Sequence, residues 1–386
     1  AIVSEVPGTT TDPVYKAVEL QPVGPVVLID TAGIDDDQSV IGAERVRRAK
    51  EILRKTDLAL VVIDGAANDF AAEDELLEEC AQRKTPFLVV VNKCDSALSD
   101  AAMSWSELKS PINVSAARGD GIDELKEKIR AAVPKDWEPP YLSDLVRPGE
   151  TVVLVTPIDL GAPKGRLIMP QIKALRDALD ADAIPVMCKE RELPAALRSL
   201  NVKPALVITD SQVFPQVAAD VPDDILLTSF SILSARQKGD LLEMVRSVSA
   251  VKNLRPGDRV LIAESCSHHP LEDDIARVKI PRWLEAYVGG KLSIETVPGA
   301  CFPDNIADYK LVVHCGGCTL NRREMLHRQS VPAAANVPMT NFGVLISFLK
   351  NVFPRALRPF PEIYSLYTNE TRIEPHDRSI MARFSE

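Results

Sequence analysis

Short apolar runs that end on a polar residue recur along the chain, with longer amphipathic stretches between them. The runs at 26–30, 58–64 and 87–92 are rich in Val, Ile and Leu, the composition of strands buried on both faces. Stretches at 42–54, 72–83 and 122–132 have helical periodicity. This alternation predicts a parallel sheet covered by helices on both faces. The segment 133–148 contains Pro134, Pro139, Pro140 and Pro148 and reads as a linker. The pattern then resumes, with strands expected at 152–156, 184–187, 205–209 and 225–228 and helices at 170–179, 194–200 and 241–251. A turn signal, Arg255-Pro256-Gly257-Asp258, opens a last block. There strands are expected at 259–263 and 310–313 and helices at 274–287, 321–328 and 342–351, before a tail of short polar runs rich in Pro and Arg. The fold class is α/β: three α/β domains with parallel sheets covered by helices, spanning 1–136, 150–253 and 254–386.

Composition narrows the choice of partners. With 46% hydrophobic and 26% charged residues, the chain reads as soluble and globular. Its 45 Lys and Arg stand against 55 Asp and Glu, a net charge of −10, which argues against nucleic acid or an anionic membrane as the main partner. No apolar run approaches the roughly 20 residues of a membrane helix. The opening Ala1-Ile2-Val3-Ser4-Glu5 has neither the basic start of a secretory signal nor a Met, and reads as a fragment or processed end. Seven irregularly spaced cysteines fit a reducing cytoplasm, where clustered Cys points to metal or catalysis.

The first candidate chemistry lies at strand ends. In Asp30-Thr31-Ala32-Gly33, the carboxylate can hold a Mg2+-bound water, and Gly33 lets a backbone N–H approach a terminal phosphate with no Cβ in the way. Asn92-Lys93-Cys94-Asp95 ends the run at 87–92. Asp95 would accept from N1 and N2 of guanine, a donor pair that adenine lacks. Asn92 would tie the neighbouring loops, and the Lys93 stem would cover the base. A backbone N–H of Ser115 or Ala116, in Asn113-Val114-Ser115-Ala116, would reach guanine O6. Upstream, Gly8-Thr9-Thr10-Thr11-Asp12 is a switch segment in which Thr10 would complete the Mg2+ shell. A turn or a helix cap explains each piece alone, but not four pieces in this order. No G-x-x-x-x-G-K-[ST] occurs, so a G domain's base-recognition and switch halves stand without the N–H nest that cradles phosphates. Hydrolysis by these residues alone is not expected. The order and wording resemble the GTPases of the Era and tRNA-modification class. In that class a hydrophobic residue, here Ile34, stands where other GTPases carry a water-positioning Gln.

A second group of signals is rich in Cys and His. Cys266-Ser267-His268-His269-Pro270 follows the run at 259–263, and His314-Cys315-Gly316-Gly317-Cys318 follows the run at 310–313. Both loops are expected at carboxyl ends of strands, where open α/β sheets place their sites. Cys266, Cys315 and Cys318 would converge there, with His268, His269 and His314 nearby. The spacing suits a tetrahedral zinc site as well as an iron–sulfur cluster. Cys80, Cys94 and Cys188 read as ordinary thiols, and Cys301 is a further ligand only if the site is closed by four thiolates.

A Cys-x-His followed by His-Cys-x-x-Cys downstream of a G domain resembles the maturation GTPases of FeFe-hydrogenase. Val6-Pro7-Gly8-Thr9-Thr10-Thr11-Asp12-Pro13-Val14, Pro157-Ile158-Asp159-Leu160, Ala162-Pro163-Lys164-Gly165-Arg166 and Asn321-Arg322-Arg323-Glu324 carry the likeness across all three blocks. The resemblance implies a cytoplasmic scaffold with GTPase, dimerisation and cluster domains. Its cofactors would be GTP or GDP, Mg2+ and K+, and a 4Fe–4S cluster on Cys266, Cys315 and Cys318. The cluster's fourth position would be exchangeable, with His268 or His314 as an occasional ligand. Its partners would be apo FeFe-hydrogenase, two radical-SAM maturases and a second copy of the chain, with no nucleic acid and no membrane. The rivals are a ribosome- or tRNA-associated GTPase with a zinc-binding C-terminal domain, and a binding module without nucleotide function.

Overall fold

The computed structural model describes residues 13–31, 49, 51–107, 109–133, 138–158, 165, 167–265, 274–299 and 302–371. The chain divides into two units, Ala1–Trp137 and Glu138–Glu386.

In the first unit, β1 (Val14–Leu20) and β2 (Gly24–Asp30) form an antiparallel hairpin. The apolar pattern places 26–30 in a parallel sheet, so the hairpin corrects that expectation. The physical reason is the connection. Gln21, Pro22 and Val23 are too few for the crossover of a dozen or more residues that a parallel neighbour needs. Lys16 and Glu19 interrupt the apolar run of β1 and hid it from the pattern. Next, β3 (Ala59–Asp64), β4 (Phe87–Asn92) and β5 (Ile112–Asn113) form a parallel sheet in that order. Among the described residues no ladder joins the two sheets. The helices Ala71–Gln82 and Ile122–Ala132 pack on β3 and β4. Strand β3 alternates: Val61 and Ile63 are buried, while Leu60 and Val62 on the other face are exposed.

The second unit contains two four-stranded parallel sheets of identical winding. The first comprises β6 (Thr151–Val155), β7 (Ile184–Cys188), β8 (Leu206–Thr209) and β9 (Leu226–Ser229), in the order β7-β6-β8-β9. The second comprises β10 (Arg259–Glu264), β11 (Ser293–Pro298), β12 (Leu311–His314) and β13 (Met339–Asn341), in the order β11-β10-β12-β13. In each sheet the order reverses beside the first strand, between β6 and β8 and between β10 and β12. The central strands are apolar along their whole length: Val152–Val155 and Val260–Ala263 are at most 1% exposed. Helices cover both faces of such strands in a doubly wound fold.

One hydrophobic core runs through both sheets and takes in Leu154, Ile208, Leu233, Leu261, Val313 and Ile346. The Pro- and Arg-rich tail does not stay outside it. Its first part forms the helices Phe353–Leu357 and Pro361–Thr371, which bring Phe353, Leu357, Tyr364 and Tyr367 into the core. Tyr141 enters from the other end of the unit, its hydroxyl donating to the Phe230 carbonyl at 2.7 Å.

Phe353 is 1% exposed and meets Phe348 and Tyr367 edge-on, with centroids 6.0 and 4.9 Å away. Phe353→Ala is expected to cost about 3–5 kcal/mol of stability in the second unit. Chemical denaturation of parent and variant checks this, and a loss below about 1 kcal/mol would remove the tail from the core.

Candidate functional site

In the first unit the predicted base-recognition residues come from two neighbouring strand ends, those of β4 and β5. Asn92 ends β4 opposite Asp64 on β3. Its side-chain oxygen accepts the Ala116 N–H at 3.0 Å, while Cys94 N donates to the Val114 carbonyl at 3.1 Å. The Asn92-Lys93-Cys94-Asp95 loop and the Ser115–Ala116 loop are thus bound to each other. Ser115 is buried and hydrogen-bonded to Asp95, and this bond, more than any other contact, holds the Asp95 carboxyl below its usual range. An ionised carboxylate at this place accepts two hydrogen bonds and donates none. Lys93 has a left-handed backbone, φ 64°, and its ammonium meets Asp64 at 2.7 Å, which raises the lysine and lowers the aspartate. Asp64 had no assigned role in the pattern, although it is the polar end of a buried run, the same signal that marks Asp30 and Asn92.

The Ser115 turn is closed by Gly121. Ser115 N donates to the Asp120 carbonyl at 3.0 Å, and Gly121 follows at φ +70° with the Asn113 carbonyl 2.1 Å from where a Cβ would stand. Asp30 is exposed at the end of β2. Thr10 and Gly33 lie outside the described residues.

In the second unit β10 and β12 are parallel neighbours, with Ala263 opposite His314. Their carboxyl ends flank the point where the strand order reverses, the crevice where open α/β sheets bind ligands. Cys315 N donates to the Ala263 carbonyl at 2.9 Å, the last bond before the loops leave the sheet. Cys315 Sγ then receives the Ser265 N–H at 3.2 Å and the Gly317 N–H at 3.5 Å, with the Ser265 hydroxyl also at 3.2 Å. Burial raises the Cys315 thiol, while the donors from Ser265 and the Gly317 N–H lower it. Gly317 has φ +60°, and a Cβ there would stand 2.4 Å from Met325 Cε. Cys318 is exposed at the far side of the loop.

His314 is fully buried. Arg328, itself 1% exposed, donates Nε–H to His314 Nε2 at 2.7 Å. A guanidinium can only donate, so the imidazole proton sits on Nδ1, 2.7 Å from the Cys315 carbonyl. Both ring nitrogens are engaged. Arg328 also binds the Gly299 carbonyl at 2.9 Å and stacks over Phe302, which steadies the segments on either side of Cys301. A second cation, Lys238, donates to the carbonyls of Gly317 at 2.7 Å and Cys318 at 3.0 Å. Burial lowers its pKa, Lys173 lowers it further, and the Cys318 sulfur and Glu138 oppose them. Ser265, Arg328 and Lys238 had no signal in the pattern, because each acts from an element remote in sequence.

Cys266, His268, His269 and Cys301 lie outside the described residues. Cys266 follows directly on Ser265, whose two polar atoms touch Cys315 Sγ. Among the described residues no three His, Cys, Asp or Glu side chains form a metal cage. Nor is any described helix long and apolar enough to cross a membrane.

The geometry defines a protein with a GTPase-type domain, of the class that binds GTP or GDP with Mg2+, followed by a doubly wound unit with cysteines at its strand ends. Comparison with known families agrees part by part. Residues 1–93 match the 50S ribosome-binding GTPase family, residues 141–239 the hydrogen maturase F dimerization domain, and residues 242–359 the hydrogen maturase F tetramerization domain. The chain belongs to the hydrogen maturase F family. Similar proteins include the tRNA modification GTPase MnmE of Heliobacterium modesticaldum, 37% identical over 187 residues, which are 47% of this chain and 38% of that protein. MnmE of Geobacter sulfurreducens is 40% identical over 33% of this chain and 28% of its own length. GTPase Der of Xanthomonas oryzae pv. oryzae is 30% identical over 35% of this chain and 30% of its own length. The chain spans about a third of the length of these curated relatives.

Gly121→Ala puts a Cβ into the Asn113 carbonyl at a left-handed position. The variant is expected to lose about 1–3 kcal/mol of stability in the first unit, read by hydrogen exchange at Ser115 and Gly119. Unchanged protection of those amides would show that the turn does not depend on glycine.

Proposed function

We propose that this chain is a scaffold in the maturation of FeFe-hydrogenase, holding a 4Fe–4S cluster on Cys266, Cys315 and Cys318 and handing a di-iron precursor to the apo-hydrogenase. The observation that carries the reading is the contact of Ser265, the residue that precedes Cys266 in the sequence, with Cys315 Sγ at a switch point. The donor set suits the group. Two backbone N–H groups aimed at one sulfur stabilise a thiolate, and sulfur hydrogen bonds of this kind tune iron–sulfur centres. Bound there, such a cluster supplies one iron whose remaining position a cargo can occupy and leave.

The protein's own part is to hold and orient. Ser265 and Gly317 fix the Cys315 sulfur, and the His314–Arg328 pair fixes the loop backbone behind it. Neither ring nitrogen of His314 faces a ligand in this arrangement, which leaves His268 or an exogenous group for the fourth position. In the first unit Asp95 receives the guanine of GTP or GDP, with Asn92 and Lys93 beside it, while Ser115 and Ala116, whose N–H groups bond Asp120 and Asn92, shape the loop around the base. Thr10, Asp30 and Gly33 serve Mg2+ and the phosphates, with K+ beside them. Nucleotide turnover times the exchange of partners, two radical-SAM maturases before the hydrogenase, in the cytoplasm. Residues 1–136 then act as the switch, 150–253 as the dimerisation layer and 254–386 as the cluster layer.

Two experiments test this. Asp95→Asn is expected to weaken GDP binding roughly 10–100-fold, the worth of charge-assisted hydrogen bonds, and to improve binding of the xanthosine analogue; an unchanged preference would remove Asp95 from the base site. Separately, each cysteine is replaced by Ala, the chain is reconstituted with iron and sulfide under argon, and paramagnetic resonance is recorded after reduction. The signal is expected to vanish in the Cys266, Cys315 and Cys318 variants and to survive in Cys301→Ala. Stoichiometric zinc with no iron uptake by the parent chain would instead favour a ribosome- or tRNA-associated GTPase with a zinc domain.

A further inference from the structure

The dimerization match ends at residue 239, and the cysteine loops lie in the match that begins at residue 242. The structure nevertheless interlocks the two segments at Cys318. Lys238 ends the helix Phe230–Lys238, which follows β9 of the first sheet. The residue is 8% exposed, and its ammonium binds the Gly317 and Cys318 carbonyls of the second sheet's loop. Arg322, at the start of the helix Arg322–Ala334 just beyond the loop, returns the contact. Its guanidinium donates to the Gln237 and Gly239 carbonyls at 2.7 and 3.1 Å, on either side of Lys238. Gln329 completes the clamp, accepting Asp240 N–H at 2.8 Å and donating to the Asp240 carbonyl at 3.2 Å.

The charge balance of this clamp is one-sided. Among the described residues no carboxylate stands within ion-pair distance of Lys238; its hydrogen-bond partners are the two loop carbonyls, and Glu138 and the sulfurs of Cys318 and Cys315 act on it only at longer range. Lys173 is close enough to repel it and is itself paired with Glu138 at 3.2 Å. A buried ammonium without a direct ion pair is costly, and two neutral carbonyls with a distant carboxylate only partly offset that cost. A metal–thiolate group on this loop carries net negative charge from its thiolates and would complete the balance.

We propose that Lys238 is a positioning residue of the thiolate centre. From the neighbouring segment it aims the Gly317–Cys318 peptides and supplies the fixed positive charge that an anionic metal–thiolate group needs. This rests on the cluster reading above. The centre is then not the property of the 242–359 segment alone, and displacement of the helix Phe230–Lys238 alters both its geometry and its charge.

The test uses the full chain as Lys238→Met, Lys238→Gln and Lys238→Arg, reconstituted with iron and sulfide. Removal of the charge disfavours the added electron, so the midpoint potential is expected to move to more negative values in Lys238→Met and Lys238→Gln. Affinity for iron against a chelator is expected to fall ~10–100-fold, the usual effect of losing an outer-shell partner. Lys238→Arg should restore both, and circular dichroism of the apo chains should match the parent. The Gln variant keeps hydrogen-bond donors without the charge, so it carries the test if Lys238→Met fails to fold. Parent values of potential and affinity in Lys238→Gln would overturn the inference while leaving the cluster reading intact. A parent chain that takes up no iron and sulfide at all would overturn both.

Discussion

The second unit depends on one short stretch of parallel ladder, where β10 and β12 run side by side until Cys315 N meets the Ala263 carbonyl. Because the strand order reverses at this pair, the chain leaves β10 toward β11 and leaves β12 toward β13, and the two exits diverge around a crevice. Several polar groups fix the loop beside that crevice. Ser265 turns its N–H and hydroxyl to the Cys315 sulfur, and His314, at the end of its strand, is pinned from behind by Arg328. A histidine fully buried at a strand end needs both ring nitrogens satisfied. Arg328 and the Cys315 carbonyl satisfy them and leave one tautomer.

The first unit uses the same logic with weaker forces. Its base loops are held by backbone-directed bonds, Asn92 to Ala116 and Cys94 to Val114, rather than by buried charge. The exposed pair of Lys93 and Asp64 contributes little to stability in water. Its effect is geometric: it holds the Lys93 ammonium on Asp64 while the lysine backbone is left-handed. The bare face of β3, with Leu60 and Val62 exposed, shows how much less apolar surface this unit covers among the described residues than the sheets of the second.

The second unit's two sheets have identical winding, yet only one carries cysteines at its switch point. Their shared core and the reciprocal grip of Lys238 and Arg322 make them one mechanical body. The helix Phe230–Lys238 therefore reaches the cysteine loop through one side chain. That coupling suits the scaffold role proposed above better than two independent modules would.

Amino-acid order alone determined the α/β class and most strand positions, and marked two groups of candidate residues, because each has a local cause. Buried parallel strands need unbroken apolar runs such as 152–155 and 260–263, and sites at strand ends show as Asp, Asn, His or Cys directly after them. Nothing local announced β1, whose Lys16 and Glu19 break its apolar run, or β13, which is only three residues long. The Pro-rich tail read as irregular because Pro354 and Pro361 look like breakers. They stand instead in the first turn of helices, where a missing N–H costs nothing. Only the tertiary structure decided that Arg328 holds His314, that Lys238 reaches the Cys318 carbonyl across 80 residues, and that Ser265 meets Cys315. Those contacts join residues far apart in the chain, and long-range packing, which leaves no periodicity behind, is what brings them together.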